Sequence, residues 1–213
     1  MPDMAGGPRR LLQQFARLPV PGRVKTRLLG ELSMQEACAV HEELLLRTAV
    51  VLCASGLGPV ELWLDRGGAS PTIEAALEEG AGGPLIQAGG DLGARMHHAL
   101  SHGLERADAV VLVGSDCPGI TADYLGAAFT ALNDHDVALG PADDGGFVLI
   151  GCRRLVRGAL DRVPWGTSEV LDATLAQLSR VGLSTTLLPS RYDIDTPRDL
   201  RRWREESSGV CGD

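Results

Sequence analysis

The sequence predicts an α/β fold with a mostly parallel central sheet covered by helices. Short apolar segments rich in β-branched residues alternate along the chain with segments of helical periodicity, which is the pattern of repeated strand–helix units. The run Val110–Val113 is apolar without alternation and therefore indicates a strand buried on both faces. A turn, Gly114-Ser115-Asp116, follows directly and marks the carboxyl end of that strand.

Seven segments are predicted as strands. In the first of them Gln13 and Gln14 interrupt the apolar character. The fifth and sixth are joined by a short acidic turn, which favours antiparallel pairing between them. The predicted strands cover residues 11–20, 60–64, 85–87, 110–113, 137–139, 147–151 and 185–188.

Seven helices are predicted between and after these strands. Ser33 and Glu36 match a capping box that opens the longest helix, and Gly56 ends it. Pro71 suits the first position of the next helix, and Thr121 is a typical N-cap for a later one. The remaining helix bounds are predicted as 71–79, about 92–106, 121–132, 155–160, 168–181 and 197–206.

Composition limits the classes of protein. The 213 residues are 44% hydrophobic, enough for one domain with a sizeable core, which we place at residues 11–206 between a flexible leader (1–10) and a tail (207–213). The net charge of −8 argues against a nucleic-acid binder. Five scattered cysteines favour reduced thiols and a cytoplasmic location. We expect neither a signal peptide nor a membrane span.

Six aspartates follow predicted strands or precede predicted helices: Asp91, Asp116, Asp143, Asp144, Asp193 and Asp195. Asp116 is the strongest candidate for a site residue, because it follows a buried strand at the edge where open α/β sheets bind ligands. Two carboxylates there would hold Mg²⁺ or Mn²⁺. Loop aspartates also form turns and helix caps, and this alternative stays open for Asp91 and Asp143. Of Asp193 and Asp195, one is expected to be structural, and Asp195 or Thr196 is the candidate cap of the last helix.

Four cations lie within eleven residues after the first predicted strand: Arg17, Arg23, Lys25 and Arg27. These residues suit an anionic polyphosphate, because arginine can form two parallel hydrogen bonds to a phosphate and lysine supplies a compact positive charge. Proline and glycine restrict the shape of the loop that carries them. A solvated basic surface is the alternative. The loop is not a Walker A motif, because Gly-x-x-x-x-Gly-Lys-Ser/Thr is absent.

Three other features have simpler explanations. His98 and His102 lie one helical turn apart without a third ligand at a fitting spacing, which favours a solvated helix face over a metal site. No histidine motif accompanies Cys117, so a nucleophilic role is disfavoured. Trp165 suits packing, although its loop-to-helix position could also shape an acceptor pocket.

Five ordered motifs, at residues 19–28, 90–96, 114–118, 141–147 and 193–197, resemble the bacterial DUF2064 family, also called rSAM/selenodomain-associated transferase 1. That family is related to the 2-phospho-L-lactate guanylyltransferases and more distantly to the molybdenum cofactor guanylyltransferases. The resemblance spans residues 11–203. It has two departures: Gln13–Gln14 replaces an expected apolar pair, so we expect a frayed or edge-shifted first strand, and Arg198 replaces an acid.

The resemblance implies a GT-A, or nucleotide-diphospho-sugar transferase, fold built as a three-layer sandwich. In such a fold the basic loop holds the nucleotide phosphates, Asp116 takes the metal position, and Asp193 or Asp195 is the second metal ligand. The segment containing Asp91 would border the nucleotide and donor pocket. The turn formed by Asp143, Asp144, Gly145 and Gly146 would face the acceptor.

Together these residues predict a metal-dependent transferase that joins a nucleotide-activated donor to a small-molecule acceptor. The expected activity is glycosyl transfer from a nucleotide sugar. The alternative is nucleotidyl transfer from a nucleoside triphosphate to a phosphorylated acceptor with release of pyrophosphate, and a third is an inactive nucleotide-binding domain. Arg23, Lys25 and Arg27 would neutralise the leaving phosphate, and Asp144 is the candidate acid/base. The oligomeric state stays open.

Overall fold

The structure is a computed structural model that describes residues 7–209. Seven strands form one sheet. In chain order they are β1 Arg10–Ala16, β2 Val60–Leu64, β3 Gly82–Ile86, β4 Ala109–Val113, β5 Val137–Pro141, β6 Phe147–Cys152 and β7 Thr185–Leu187. Across the sheet their order is β3-β2-β1-β4-β6-β5-β7.

A helix follows each of these strands except β5, as the alternating sequence pattern predicts. The helices are α1 Met34–Ala54, α2 Pro71–Glu78, α3 Leu92–Leu104, α4 Ala122–Ala131, α5 Val170–Arg180 and α6 Pro197–Gly209. The predicted capping box is confirmed: the Glu36 N–H donates to Ser33 Oγ at 3.2 Å, and the Ser33 N–H donates to Glu36 Oε2 at 2.8 Å. Thr121 caps α4 as expected.

The sheet is mostly parallel. β6 runs antiparallel to both of its neighbours, β4 and β5, whereas the other four neighbouring pairs are parallel. The predicted antiparallel pairing of the fifth and sixth strands is therefore confirmed. The parallel arrangement brings the carboxyl ends of β1, β2 and β4 to one edge of the sheet.

Apolar side chains form one cluster on each face of the sheet and a third, smaller cluster beside it. One cluster includes Leu45, Leu62 and Phe129, on the face covered by α1, α2 and α4. The opposite cluster includes Leu100 and Leu178, from α3 and α5. A smaller cluster joins a 3₁₀ turn (Thr26–Leu28) to α1, the 192–195 segment and α6, through Leu28, Leu44, Ile194 and Trp203. This last cluster fixes the basic loop against the edge that carries the site.

The expected fraying of the first strand is wrong. Gln13 and Gln14 are fully buried in β1, which lies between β2 and β4. The Gln13 amide donates to Glu61 Oε2 at 3.1 Å and to the Ala99 carbonyl at 2.8 Å. The Gln14 amide donates to the Leu45 carbonyl at 2.9 Å and to Ser115 Oγ at 3.0 Å. Buried amide groups are tolerated where such partners exist.

Two other predicted elements differ clearly from the structure, while several further bounds shift by one to three residues. β1 ends at Ala16, before the predicted limit of residue 20: the Leu18 N–H donates to Asp65 Oδ1 at 2.8 Å and not to a strand carbonyl, and Pro19, which has no N–H, prevents the ladder from resuming. The predicted helix 155–160 is wrong: this segment forms turns, with Gly158 in the left-handed region at φ 82°. Residues 1–6 of the expected leader and 210–213 of the expected tail lie outside the described residues.

None of the helices within residues 7–209 combines the length and the apolar character that a membrane crossing requires.

Candidate active site

Two adjoining cavities open at the carboxyl ends of β1, β2 and β4. The larger, of about 750 Å³, is here called the cationic cavity, and its polar lining comes from Arg17, Lys25, Thr26, Arg27, His41, Asp65, Arg66, Gln87, Arg95, Ser115, Asp116 and Asp195. The smaller, of about 440 Å³, is called the apolar cavity. Phe15, Arg27, Leu92, Gly114 and Asp195 line both, so the two form one continuous cleft.

Asp116 lies in the turn after β4 and faces the cationic cavity. Its Oδ1 is buried, 2.6 Å from Lys25 Nζ and 3.8 Å from His41 Nδ1. The side chain as a whole is 42% exposed, so its accessible area belongs to its other atoms. Burial acts to raise the pKa of Asp116, but the charge of Lys25, together with His41, outweighs it and holds the pKa well below its usual range. The carboxylate is therefore ionised.

Lys25 connects the two segments that carry the acidic residues. Its side chain is 3% exposed, and its Nζ donates to the Ile194 carbonyl at 2.6 Å while it pairs with Asp116. The Ile194 N–H donates to the Asp116 carbonyl at 2.9 Å. The Lys25 backbone lies in the left-handed region at φ 49°, a conformation that costs about 1 kcal/mol for a side-chain-bearing residue. These contacts hold Lys25 in that conformation.

Asp193 is a second, half-buried carboxyl near this edge. Burial, followed by the charge of Asp116, raises the pKa of Asp193 to about 7, while Lys25 acts in the opposite direction. Asp144 and Asp195 raise it further. Asp116, Asp144 and Asp195 are thus all close enough to Asp193 to raise its pKa, which concentrates negative charge beside the cationic cavity.

The basic loop divides into residues that face the cleft and one that does not. Arg17, Lys25 and Arg27 line the cationic cavity, whereas Arg23 lines neither cavity. Arg27 Nη1 lies 2.6 Å from Asp195 Oδ2, so this carboxylate is already paired with a cation.

Arg66, Arg95 and His41 are among the cavity residues that sequence reasoning missed. Arg66 follows Asp65 at the end of β2, a strand-end position like that of Asp116, and it could have been found by the same signal. Arg95 lies in the first turn of α3, within the 90–96 motif. His41 gave no signal, because it occupies a buried position of a regular helix; its Nε2 lies 2.9 Å from the Arg17 carbonyl.

The acceptor-side residues separate in the structure. Asp144 and Trp165 line the apolar cavity, where Trp165 packs edge-on against Phe147 with ring centroids 6.0 Å apart. Asp143 does not line it: Asp143 accepts from the Ser190 hydroxyl and lies 3.8 Å from Arg202 Nη1. Gly145 and Gly146 form the turn behind Asp144, and the Gly146 N–H donates to Asp144 Oδ1 at 3.0 Å.

Two other residues have structural roles. Asp91 is the N-cap of α3, accepting from the Ala94 N–H at 2.8 Å, and it lines neither cavity. Burial, followed by the charge of Asp193, raises the pKa of Cys117 to about 12, so the thiol is unreactive at neutral pH.

No group of three or more potential metal-ligating side chains is found within residues 7–209. His98 and His102 stack on each other and pack edge-on against Trp63.

The comparisons with known proteins agree with the motifs. The family model described as "Uncharacterized protein conserved in bacteria (DUF2064)" matches residues 48–167. The crystal structure of a "putative nucleotide-diphospho-sugar transferase" from Desulfovibrio desulfuricans G20 is 30% identical, with a TM-score of 0.81, and covers 91% of this chain and 85% of that chain. The chain belongs to the DUF2064 family.

More distant structures share the fold of this DUF2064 member. CMP:2-keto-3-deoxy-manno-octonic acid synthetase, solved with CTP, is 14% identical with a TM-score of 0.56, covering 95% of this chain and 99% of that chain. Rv0371c from Mycobacterium tuberculosis H37Rv, solved with manganese, is 21% identical with a TM-score of 0.51, covering 93% and 99%. These likenesses confirm the predicted nucleotide-sugar transferase type of fold. None of the curated proteins matches the chain.

Proposed function

We propose that this DUF2064 protein is a metal-dependent transferase that binds a nucleotide-activated donor in the cationic cavity and an acceptor in the apolar cavity. One observation carries the proposal: Asp116, at the end of the central strand β4, is paired with Lys25 in a cavity lined by four arginines, and Asp193, which lines neither cavity, is close enough for the charge of Asp116 to raise its pKa. Carboxylates next to an excess of cations suit a metal-bound diphosphate.

The site residues fit a divalent cation. Asp116 Oδ1 is buried against Lys25 Nζ, while the exposed part of the side chain belongs to its other atoms, and burial together with neighbouring aspartates raises the pKa of Asp193. Asp116, through the oxygen that is not paired with Lys25, would hold Mg²⁺ or Mn²⁺ together with Asp193 or Asp195; Asp195 is itself paired with Arg27. The metal would supply Lewis-acid stabilisation of the donor phosphates. The manganese in the Rv0371c structure and the CTP in the synthetase structure, both on this fold, support a donor and a metal of these classes.

The chain's own residues would bind the donor and handle the proton. Arg17, Lys25 and Arg27 would bind phosphate oxygens and stabilise the charge that develops on the leaving group. In glycosyl transfer, the acceptor oxygen forms a bond to C1 of the sugar as the C1–O bond to the diphosphate breaks and its electron pair stays on the diphosphate. The acceptor proton passes to Asp144, which lines the cavity on the acceptor side.

Nucleotidyl transfer is the second candidate, and the charge of the cationic cavity favours it. Five cationic side chains and three carboxylates line that cavity, and a divalent ion would add to the excess of positive charge. A nucleoside triphosphate carries more negative charge than a nucleotide sugar. In this reaction the acceptor oxygen would bond to the α-phosphorus and pyrophosphate would leave.

A panel of UDP-sugars and nucleoside triphosphates, each with Mn²⁺, tests both candidates. Donor binding is read as a rise in the melting temperature. Stabilisation by UDP-sugars supports glycosyl transfer, and stabilisation by triphosphates supports nucleotidyl transfer. Stabilisation by neither class contradicts the proposal. An inactive nucleotide-binding domain would show stabilisation without Mn²⁺ dependence.

A further inference from the structure

We propose that the acceptor is an uncharged alcohol with a mainly apolar carbon skeleton, bound in the apolar cavity. The inference rests on the proposed transferase function and names the class of its second substrate. It differs from the phosphorylated acceptor that the sequence suggests for nucleotidyl transfer.

The walls of the apolar cavity are mainly carbon. Leu112 and Leu149 of the sheet, Met96 of α3, and the rings of Phe147 and Trp165 surround a volume of about 440 Å³. This volume lies in the range of small-molecule sites, which are lined by apolar and aromatic groups with few polar ones. Such walls bind a ring or a branched hydrocarbon skeleton by excluding water from it.

The charges in this cavity disfavour an anionic acceptor. Among its lining residues Arg27 is the one cation; its guanidinium is 2.6 Å from the Asp195 carboxylate, and in the proposed function it binds the donor phosphates in the adjoining cationic cavity. Asp144 contributes a second carboxylate. A phosphate or carboxylate group would meet these two negative charges without a cation free to pair with it. The adjoining cationic cavity has an excess of positive charge. The cleft therefore offers one site for an anionic ligand and a separate site for an uncharged one.

One polar group is positioned to receive an alcohol. Asp144 Oδ1 accepts the Gly146 N–H at 3.0 Å, while Oδ2 has no hydrogen bond to another described residue. Oδ2 is therefore available to accept a hydrogen bond from a hydroxyl, and next to take its proton. Because Arg27 and Asp195 line both cavities, the apolar cavity that Asp144 lines is open to the cavity proposed for the donor.

Binding of three probes with one skeleton tests this inference: 2-phenylethanol, 2-phenylethyl phosphate and 2-phenylethylamine. Dissociation constants are measured by NMR titration of the full chain with Mg²⁺ and inorganic pyrophosphate present, so that the cationic cavity is occupied. We expect the alcohol to bind at least about tenfold more tightly than the phosphate ester, a difference of about 1.4 kcal/mol. Equal or tighter binding of the ester overturns the inference, as does tenfold tighter binding of the amine or no binding of the alcohol.

Two neighbouring variants locate the binding. Ser168 lines the apolar cavity and Glu169, which is also exposed, does not. We expect Ser168→Trp to weaken alcohol binding about tenfold or more by filling the cavity, and Glu169→Trp to change it less than about twofold. Equal effects of the two overturn the inference. Pyrophosphate binding is measured separately: if it fails while the alcohol binds, the proposed function is wrong and the description of the apolar cavity stands.

Discussion

Among single residues, Lys25 has the most contacts that bear on the proposed chemistry. It pairs with Asp116, donates to the Ile194 carbonyl and lines the cationic cavity. Arg23 lies two residues earlier on the same loop and lines neither cavity. Comparing variants at Lys25 and Arg23 therefore distinguishes a specific phosphate-binding role from an effect of the loop's overall charge.

We expect Lys25→Met to weaken binding of the Mn²⁺–nucleotide complex by about tenfold or more, because a hydrogen bond to a charged group contributes about 1.5–3 kcal/mol. Arg23→Met, which removes the same charge from the loop, should change the affinity by less than about twofold. Isothermal titration calorimetry measures both. Equal losses in the two variants would show that only the overall charge of the loop matters.

Asp144 provides a second test, on turnover. We expect Asp144→Asn to leave nucleotide affinity unchanged and to lower the rate of transfer about 100-fold, because an amide cannot take the acceptor proton. The measurement is kcat beside the nucleotide dissociation constant. A large loss of affinity with an unchanged rate would assign Asp144 to donor binding instead.

Sequence reasoning placed Asp116 correctly at the ligand edge of the sheet, because an unalternated apolar run and a turn define both the strand and its end. It could not place His41, whose position in α1 has the periodicity of any core residue. Nor could it separate Asp143 from Asp144. The two are adjacent in one turn, and only the contacts of Asp143 with Ser190 and Arg202 show that it faces away from the apolar cavity.

At the scale of elements, the position of β1 inside the sheet depends on two buried amide side chains. The local sequence pattern, in which they interrupt an apolar run, predicted a frayed strand instead. Gln14 is bonded to the Leu45 carbonyl on α1 and to Ser115 beside Asp116. Ser115 Oγ in turn donates to the Phe15 carbonyl at 2.9 Å. These partners lie 31 and 101 residues away from Gln14 in the sequence. No local pattern could have predicted them.

We expect Gln14→Leu to lower the free energy of unfolding by about 1–3 kcal/mol, because it leaves buried polar partners without their hydrogen bonds. Gln35→Leu, on the exposed surface of α1, should change it by less than about 0.5 kcal/mol. Urea denaturation measures both. A neutral Gln14→Leu would mean that apolar packing replaces the amide contacts fully.

The turn after β5 and the segment before α5 pack tightly beside the apolar cavity. Gly145 has φ 90°, and a Cβ there would lie 2.1 Å from the Ser168 carbonyl oxygen. The Leu171 N–H also donates to the Gly145 carbonyl at 2.9 Å. Gly166 has a similar φ of 85°, but a Cβ there would meet nothing within 4 Å.

We therefore expect Gly145→Ala to lower the free energy of unfolding by about 2–4 kcal/mol, from backbone strain and steric overlap together. Gly166→Ala has the strain alone and should cost about 1 kcal/mol. Thermal or urea unfolding of both variants gives the difference. If the two variants are equally stable, the two segments are free to separate.

At the scale of the whole molecule, charge is distributed unevenly between the surface and the cleft. The chain has a net charge of −8, yet one cavity at the sheet edge gathers five cationic side chains. The alternation of strands and helices predicted the sheet, and the sheet places segments 17–27, 65–66 and 114–116 together at its carboxyl edge. The position of β6 and the division of the cleft into two cavities depend on pairings between distant segments, so they required the structure.

The most direct test of the central claim is calorimetric titration of the protein with a nucleotide, with and without Mn²⁺, in the wild type and in Asp116→Asn. Asp91→Asn is the matched control, since Asp91 caps α3 and lines neither cavity. Thermal unfolding confirms that each variant is folded. We predict Mn²⁺-dependent binding that Asp116→Asn weakens at least about tenfold and that Asp91→Asn leaves within about twofold. Binding that is independent of Mn²⁺, or that folded Asp116→Asn retains in full, would contradict the account.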